Sequence, residues 1–159
     1  MANRYLRPIY KMLYDQDFEY TDFDNRMQMQ KAVYLLLDMG VPMGDYGFRW
    51  YKHGPYSQEL HEDMFQENIR PERPIQLHQE FEEKIAKLRG LIHDPKKGDY
   101  STANWMECLA SMHYLKEHKM DFDADREAVV AELERRKPHL NQRDVNEYAY
   151  DRLGGILHE

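Results

Sequence analysis

Residues 32–39, AVYLLLDM, are apolar on nearly every side of a helix. A helix without a polar stripe has nothing to offer water, so it has to run through the middle of the molecule with other elements packed around it. Asp24 or Asn25 is placed to cap its start, and the spacing predicts a helix from there to about Met39. Gly40 stands where helices end on a left-handed residue, and Pro42 forbids continuation. A chain built round such a segment needs amphipathic helices to cover it.

The sequence supplies them. Tyr5, Ile9 and Leu13 recur at helical spacing with Leu6 and Tyr10 beside them, a first helix that Pro8 either opens or kinks. Residues 15–24 are acidic and aromatic and read as a loop. Phe81, Ile85, Leu88 and Ile92 mark one face of a later helix, followed by the turn-rich DPKKGD at 94–99. Ser101 or Thr102 starts another, with Trp105, Leu109, Met112 and Leu115 inward. Asp123 or Asp125 starts the next, ended near Pro138. Asn141 or Gln142 starts the last, ended by Gly154-Gly155.

The middle of the chain departs from this period. Tyr46, Phe48 and Trp50 alternate with Gly47, Arg49 and Tyr51, which reads as a short strand. Its expected partner is 75–77, beyond the proline-bounded turn at 71–74. Between them Ser57 can cap a helix running to about Asn68. No repeat, low-complexity tract or linker interrupts the pattern. The expected fold is mainly α: a single domain over 1–159, a compact bundle of about six or seven helices with a two-stranded β element near 46–51 and 75–77. Such an element could be the wing of a degenerate winged-helix core.

Composition narrows the function classes. With 42% hydrophobic residues the 159-residue chain can build a real core. No apolar run of roughly 18 residues exists, so no membrane span is expected. MANRYLRPIY has no apolar block after its arginines and does not read as a signal peptide. The single cysteine, Cys108, cannot pair within the chain, and a reducing cytoplasm is the economical location. A formal charge of −7 argues against a general nucleic-acid binder, whose phosphate contacts need clustered Lys and Arg. The basic clusters at Lys96-Lys97 and Arg135-Arg136-Lys137 are short.

Candidate chemistry is sparse. Asp121, Asp123, Asp125 and Glu132 sit at positions 1, 3, 5 and 12 of a calcium loop, but Arg126 stands where that loop needs glycine. Cys108, His113 and His118 are five apart, about 140° per step on a helix, so they cannot share a metal. Ser57 with His53 or His61 is the one nucleophilic arrangement to consider, against Ser57 as a helix cap. Adjacent carboxylates such as Glu62-Asp63 face apart, and no glycine-rich phosphate loop occurs. As a DNA-recognition helix, 57–68 would present Glu59, Glu62, Asp63 and Glu67 with no Lys or Arg. No metal or cofactor is expected, and the chain reads as a non-enzyme.

One arrangement carries a resemblance. Lys31, Tyr34 and Leu35 precede the Gly40 turn. An aromatic strand then leads into Tyr51-Lys52-His53-Gly54-Pro55-Tyr56-Ser57 and Leu60. This resembles the Panacea (SocA-like) antitoxin family and the related YwgA-like bacterial proteins, in which a lysine-x-x-tyrosine-leucine helix is followed by a W/Y-x-x-G-P turn and a helix. The likeness covers about residues 27–62, and the order of turn and aromatics is closer to the YwgA-like branch. It implies a fold, and a cytoplasmic protein-interaction module that neutralises a toxin by direct contact or delivers it to a protease. The partner-binding residues it points to are Lys31, Tyr34, Tyr51, Lys52, His53, Gly54, Pro55, Tyr56 and Ser57. A homodimer is a further possible use of the same face. The alternative functions are a phage- or mobile-element-associated transcriptional regulator with a winged-helix-like core, and then a hydrolase without a recognisable motif. Eight of the twelve tyrosines precede residue 57, which places the expected face in the N-terminal third.

Overall fold

The structure is a computed structural model that describes residues 3–157. Helices α1 (Leu6–Tyr14) and α2 (Phe23–Asp38) come first. Strands β1 (Arg49–Tyr51) and β2 (Gly54–Tyr56) follow, then α3 (Gln58–Asn68), α4 (Gln79–Ile92), α5 (Thr102–Tyr114), α6 (Arg126–Arg136) and α7 (Arg143–Leu157). A 3-10 turn lies at Pro95–Lys97 and a π-helical turn at Leu115–Lys119.

The all-round apolar segment is central, as its pattern requires. Residues 27–36 of α2 are buried without a break, and so are 105–113 of α5. These two helices pack on each other, and the rest are arranged around them. On α1 the buried residues Leu6, Ile9, Tyr10, Leu13 and Tyr14 follow the helical period. Pro8 falls in the first turn, where its missing N–H has no bond to lose, so it opens the helix rather than kinking it. Trp105 is fully buried, and its indole N–H donates to the Leu91 carbonyl at 2.8 Å, fastening α5 to α4.

Local signals set most boundaries. Ser57, Ser101 and Asp125 each cap a helix with a side-chain oxygen. Asp125 accepts from Ala128 N at 2.9 Å and so caps α6 at the end of the acidic run 121–125. After α2, Gly40 takes φ 90°. Gly40 N donates to Leu37 O at 3.1 Å and Val41 N to Leu36 O at 2.9 Å, the paired bonds of a Schellman cap.

Three expectations are corrected. The cap of α2 is Asp22, which accepts from Asn25 N at 3.0 Å, and Asp24 and Asn25 lie inside the first turn. Helix α7 runs through Gly154-Gly155 to Leu157. Neither glycine adopts the positive φ that stops a helix. The third correction is the sheet. β1 pairs antiparallel with β2, with Arg49 opposite Tyr56, Trp50 opposite Pro55 and Tyr51 opposite Gly54. Residues 75–77 form no strand, and Ile75 and Leu77 pack against the core from an irregular segment. Pro55 hides β2 from pattern reading because proline lacks the ladder donor. A two-stranded ribbon tolerates it because each strand keeps one open edge. The hairpin thus precedes α3, whereas a wing would follow the recognition helix.

Candidate functional site

The hairpin places Lys52 and His53 at its tip. Both keep negative φ, so the turn's reversal falls to Gly54 at φ 92°. A Cβ there would also stand 2.2 Å from Ser111 Oγ on α5. Glycine is therefore required at 54 for conformation and for space.

Two adjacent side chains of α2 hold the second strand and the start of α3. Gln30 Nε2 donates to Ser57 O, and Ser57 N donates to Gln30 Oε1, each at 2.8 Å. Lys31 Nζ donates to the Pro55 carbonyl at 2.8 Å from a side chain that is 1% exposed. From the opposite side, Lys137 at the end of α6 donates to Lys52 O and lies 3.5 Å from Tyr51 O. Its ammonium also sits 5.1 Å from the centre of the Trp50 ring. Two lysines from distant parts of the chain thus hold the carbonyls of one hairpin.

Glu107 of α5 compensates them. It is buried, with Oε2 3.5 Å from Lys137 Nζ and 3.9 Å from His53 Nδ1, and Oε1 3.0 Å from His139 Nε2. Burial pushes the Lys31 ammonium down to about 7, against the pull of Glu107. Burial lowers Lys137 in the same direction. His53 is lowered by its partial burial, with both lysines adding to the effect. An ion pair this deep contributes little net stability but makes each member costly to remove.

The nine residues pointed out by the motif therefore divide. Tyr51 and Lys52 are exposed, and His53 and Tyr56 are half-buried at the surface. Lys31, Tyr34, Gly54, Pro55 and Ser57 are buried. Tyr34 meets His113 Nδ1 through its hydroxyl at 2.6 Å, and His113 Nε2 lies 2.9 Å from Asp38. Ser57 Oγ accepts from Leu60 N at 3.2 Å, a helix cap, and neither His53 nor His61 hydrogen-bonds it. Tyr46, Phe48 and Trp50 all pack partly buried against the core.

Between α2, the hairpin and the start of α3 lies a cleft of about 290 Å³. Its walls carry Phe23, Arg26, Tyr51, Lys52, Tyr56 and His61, with Lys31 and His53 toward the hairpin side. The rings form a continuous surface. Tyr51 contacts Tyr56 at 5.3 Å, Tyr56 meets His61 at 6.3 Å, His61 meets Tyr20 at 5.8 Å, and Tyr20 meets Phe65 at 5.6 Å. Phe23 packs on His53 at 5.1 Å. The Arg26 guanidinium lies within 5.8 Å of both the Tyr20 and Phe23 ring centres. Phe23, Tyr51 and Phe65 are each about half exposed.

Sequence reasoning passed over Phe23, Arg26 and Glu107, and met Lys137 only as part of the short basic cluster 135–137. A signal for Glu107 existed: it is the single charge within the otherwise uncharged stretch 101–115. The others have none, because only the fold brings them together. Among the described residues no cluster of metal-ligating side chains occurs, and no helix is long and apolar enough to cross a membrane. Comparison with known proteins finds no matching family model, curated protein or solved structure.

Proposed function

We propose that the chain is a non-enzymatic protein-interaction module of the cytoplasm that engages another protein through the ring-lined cleft. As the Panacea-like motif implies, the partner is a toxin, held by direct contact or delivered to a protease. The observation that carries this reading is the run of rings from exposed Phe65 through half-buried Tyr20, His61 and Tyr56 to exposed Tyr51, with Arg26 stacked beside it. Tyr and Arg are the side chains that interfaces enrich, and aromatic rings bury large area at little entropy cost. The rigid support beneath the hairpin serves the same end, because a fixed face loses less on binding. The motif residues themselves have structural work: Ser57 is a buried cap and Lys31 is bonded to the hairpin.

The test is affinity capture of the tagged protein from its own host, with mass spectrometry of what co-purifies. A small stoichiometric partner, lost when Tyr51 and Tyr56 are both changed to Ala and toxic when expressed alone, is the expected result. Absence of a stoichiometric partner, or a partner indifferent to those changes, overturns the reading.

A further inference from the structure

The cleft is a local exception in an acidic protein. The chain carries a formal charge of −7, yet no carboxylate lines this cleft, while the cations Arg26 and Lys52 do, together with Lys31, His53 and His61, whose charged forms burial disfavours. Beneath it, Lys31 and Lys137, both lowered by burial, face one carboxylate, Glu107. Arg26 gives one N–H to Tyr20 O at 2.5 Å, and its guanidinium has further donors in a planar fork. Lys52 rests its ammonium 5.9 Å from the Tyr51 ring centre and is otherwise at the exposed tip.

We infer that this cleft recognises a short acidic segment of the protein partner, with carboxylates on Arg26 and Lys52 and a neighbouring apolar or aromatic side chain against Phe23, Tyr51 and Tyr56. The inference rests on the interaction-module reading above and adds the chemistry of what is bound. Charge complementarity selects the occupant, and the flanks limit its length. On one side the adjoining hollow shares Tyr51 and Tyr56 and contains Glu59 as well as Arg49. On the other, the hollow shared with Tyr20 and His61 contains Glu62 and Asp63 as well as Arg70. A nucleic-acid strand carries a charge at every nucleotide and, on leaving the cleft, would meet Glu59 at one end and Glu62 and Asp63 at the other. A peptide with one or two acidic residues places its charge only where the cations are. The rings alone would suit stacked bases equally well; the chain's formal charge of −7 and the flanking carboxylates together weigh against them.

The experiment is selection of a displayed library of short random peptides on the full chain, followed by fluorescence anisotropy with the enriched peptide. An acidic–aromatic consensus is expected. Its binding should weaken about tenfold or more on Arg26→Glu and on Lys52→Glu, and fall as salt rises. Lys52→Glu secures the test if Arg26→Glu disturbs the Tyr20 loop. A neutral or basic consensus, or binding indifferent to both charge reversals, overturns the inference. In that case a continued loss on changing Tyr51 and Tyr56 to Ala leaves the interaction module standing. Enrichment of no peptide overturns it too. So does tighter binding of a single-stranded oligothymidylate lost in the same variants, which assigns the cleft to nucleic acid. Self-association abolished by Arg26→Glu overturns it in favour of a second copy of this chain.

Discussion

Lys31 Nζ and the Pro55 carbonyl lie 2.8 Å apart, joining the middle of α2 to the second strand of the hairpin inside the protein. The lysine of the motif is thus a structural tie, and its charge is managed by Glu107 from α5 and shared with Lys137 from α6.

Glu107→Gln removes the carboxylate that stands against two buried ammonium groups. Breaking a buried pair from one side costs about 3–5 kcal/mol, so the variant should lose that much in denaturant unfolding at neutral pH. A loss below about 1 kcal/mol would show that water reaches the group and that the network is not a buried one.

The same lysine predicts a pH slope. Burial lowers Lys31 from 10.5 to about 7 in the folded protein. Between those values the unfolded chain holds the proton and the folded chain releases it, so the unfolded state binds more protons and stability rises with pH across this window. Below about 7 both states are protonated and the contribution is flat. Unfolding midpoints of wild type and Lys31→Met, compared from neutral to alkaline pH, should diverge in favour of wild type. A constant difference would assign the slope to other groups.

Gly54→Ala meets two obstacles, the positive φ and the contact with Ser111 Oγ. Left-handed backbone costs a non-glycine residue roughly 1–2 kcal/mol, and forced overpacking about 1–3. The double variant Gly54→Ala with Ser111→Ala should recover the steric part and keep the backbone part. Full recovery in a double-mutant cycle would mean that φ relaxes; no recovery would mean that Ser111 is not the obstacle.

At the α3 cap the backbone of Ser57 matters more than its hydroxyl. Ser57→Ala should cost about 1 kcal/mol, the usual value of a cap. Gln30→Leu strands a buried N–H and a buried carbonyl, each worth about 1–3 kcal/mol, and should be the worse of the two. Thermal and chemical unfolding of the two variants rank them directly. The reverse order would show that the side-chain amide is replaceable by water.

Much of the fold was legible because its signals are local. Ser57, Ser101 and Asp125 cap helices through oxygens a few residues from the N–H groups they satisfy, and Gly40 closes α2 through bonds within one turn. The hairpin was half read: β1 alternates visibly, but β2 contains Pro55, and strand pairing is a non-local event that a proline disguises. The candidate site was legible only at its exposed tip, where Tyr51, Lys52, His53 and Tyr56 fall within six consecutive residues.

The sequence by itself determined that α2 is central, because a helix apolar on all sides has no alternative, and that a glycine-proline turn leads into a capped helix. The tertiary structure alone decided that Lys31, Glu107 and Lys137 meet beneath that turn, and that Arg26 and Phe23 complete the cleft with His61. A buried charge is tolerated only where its partner also lies, and a partner 76 residues away, like Glu107 from Lys31, is visible only once the chain has folded.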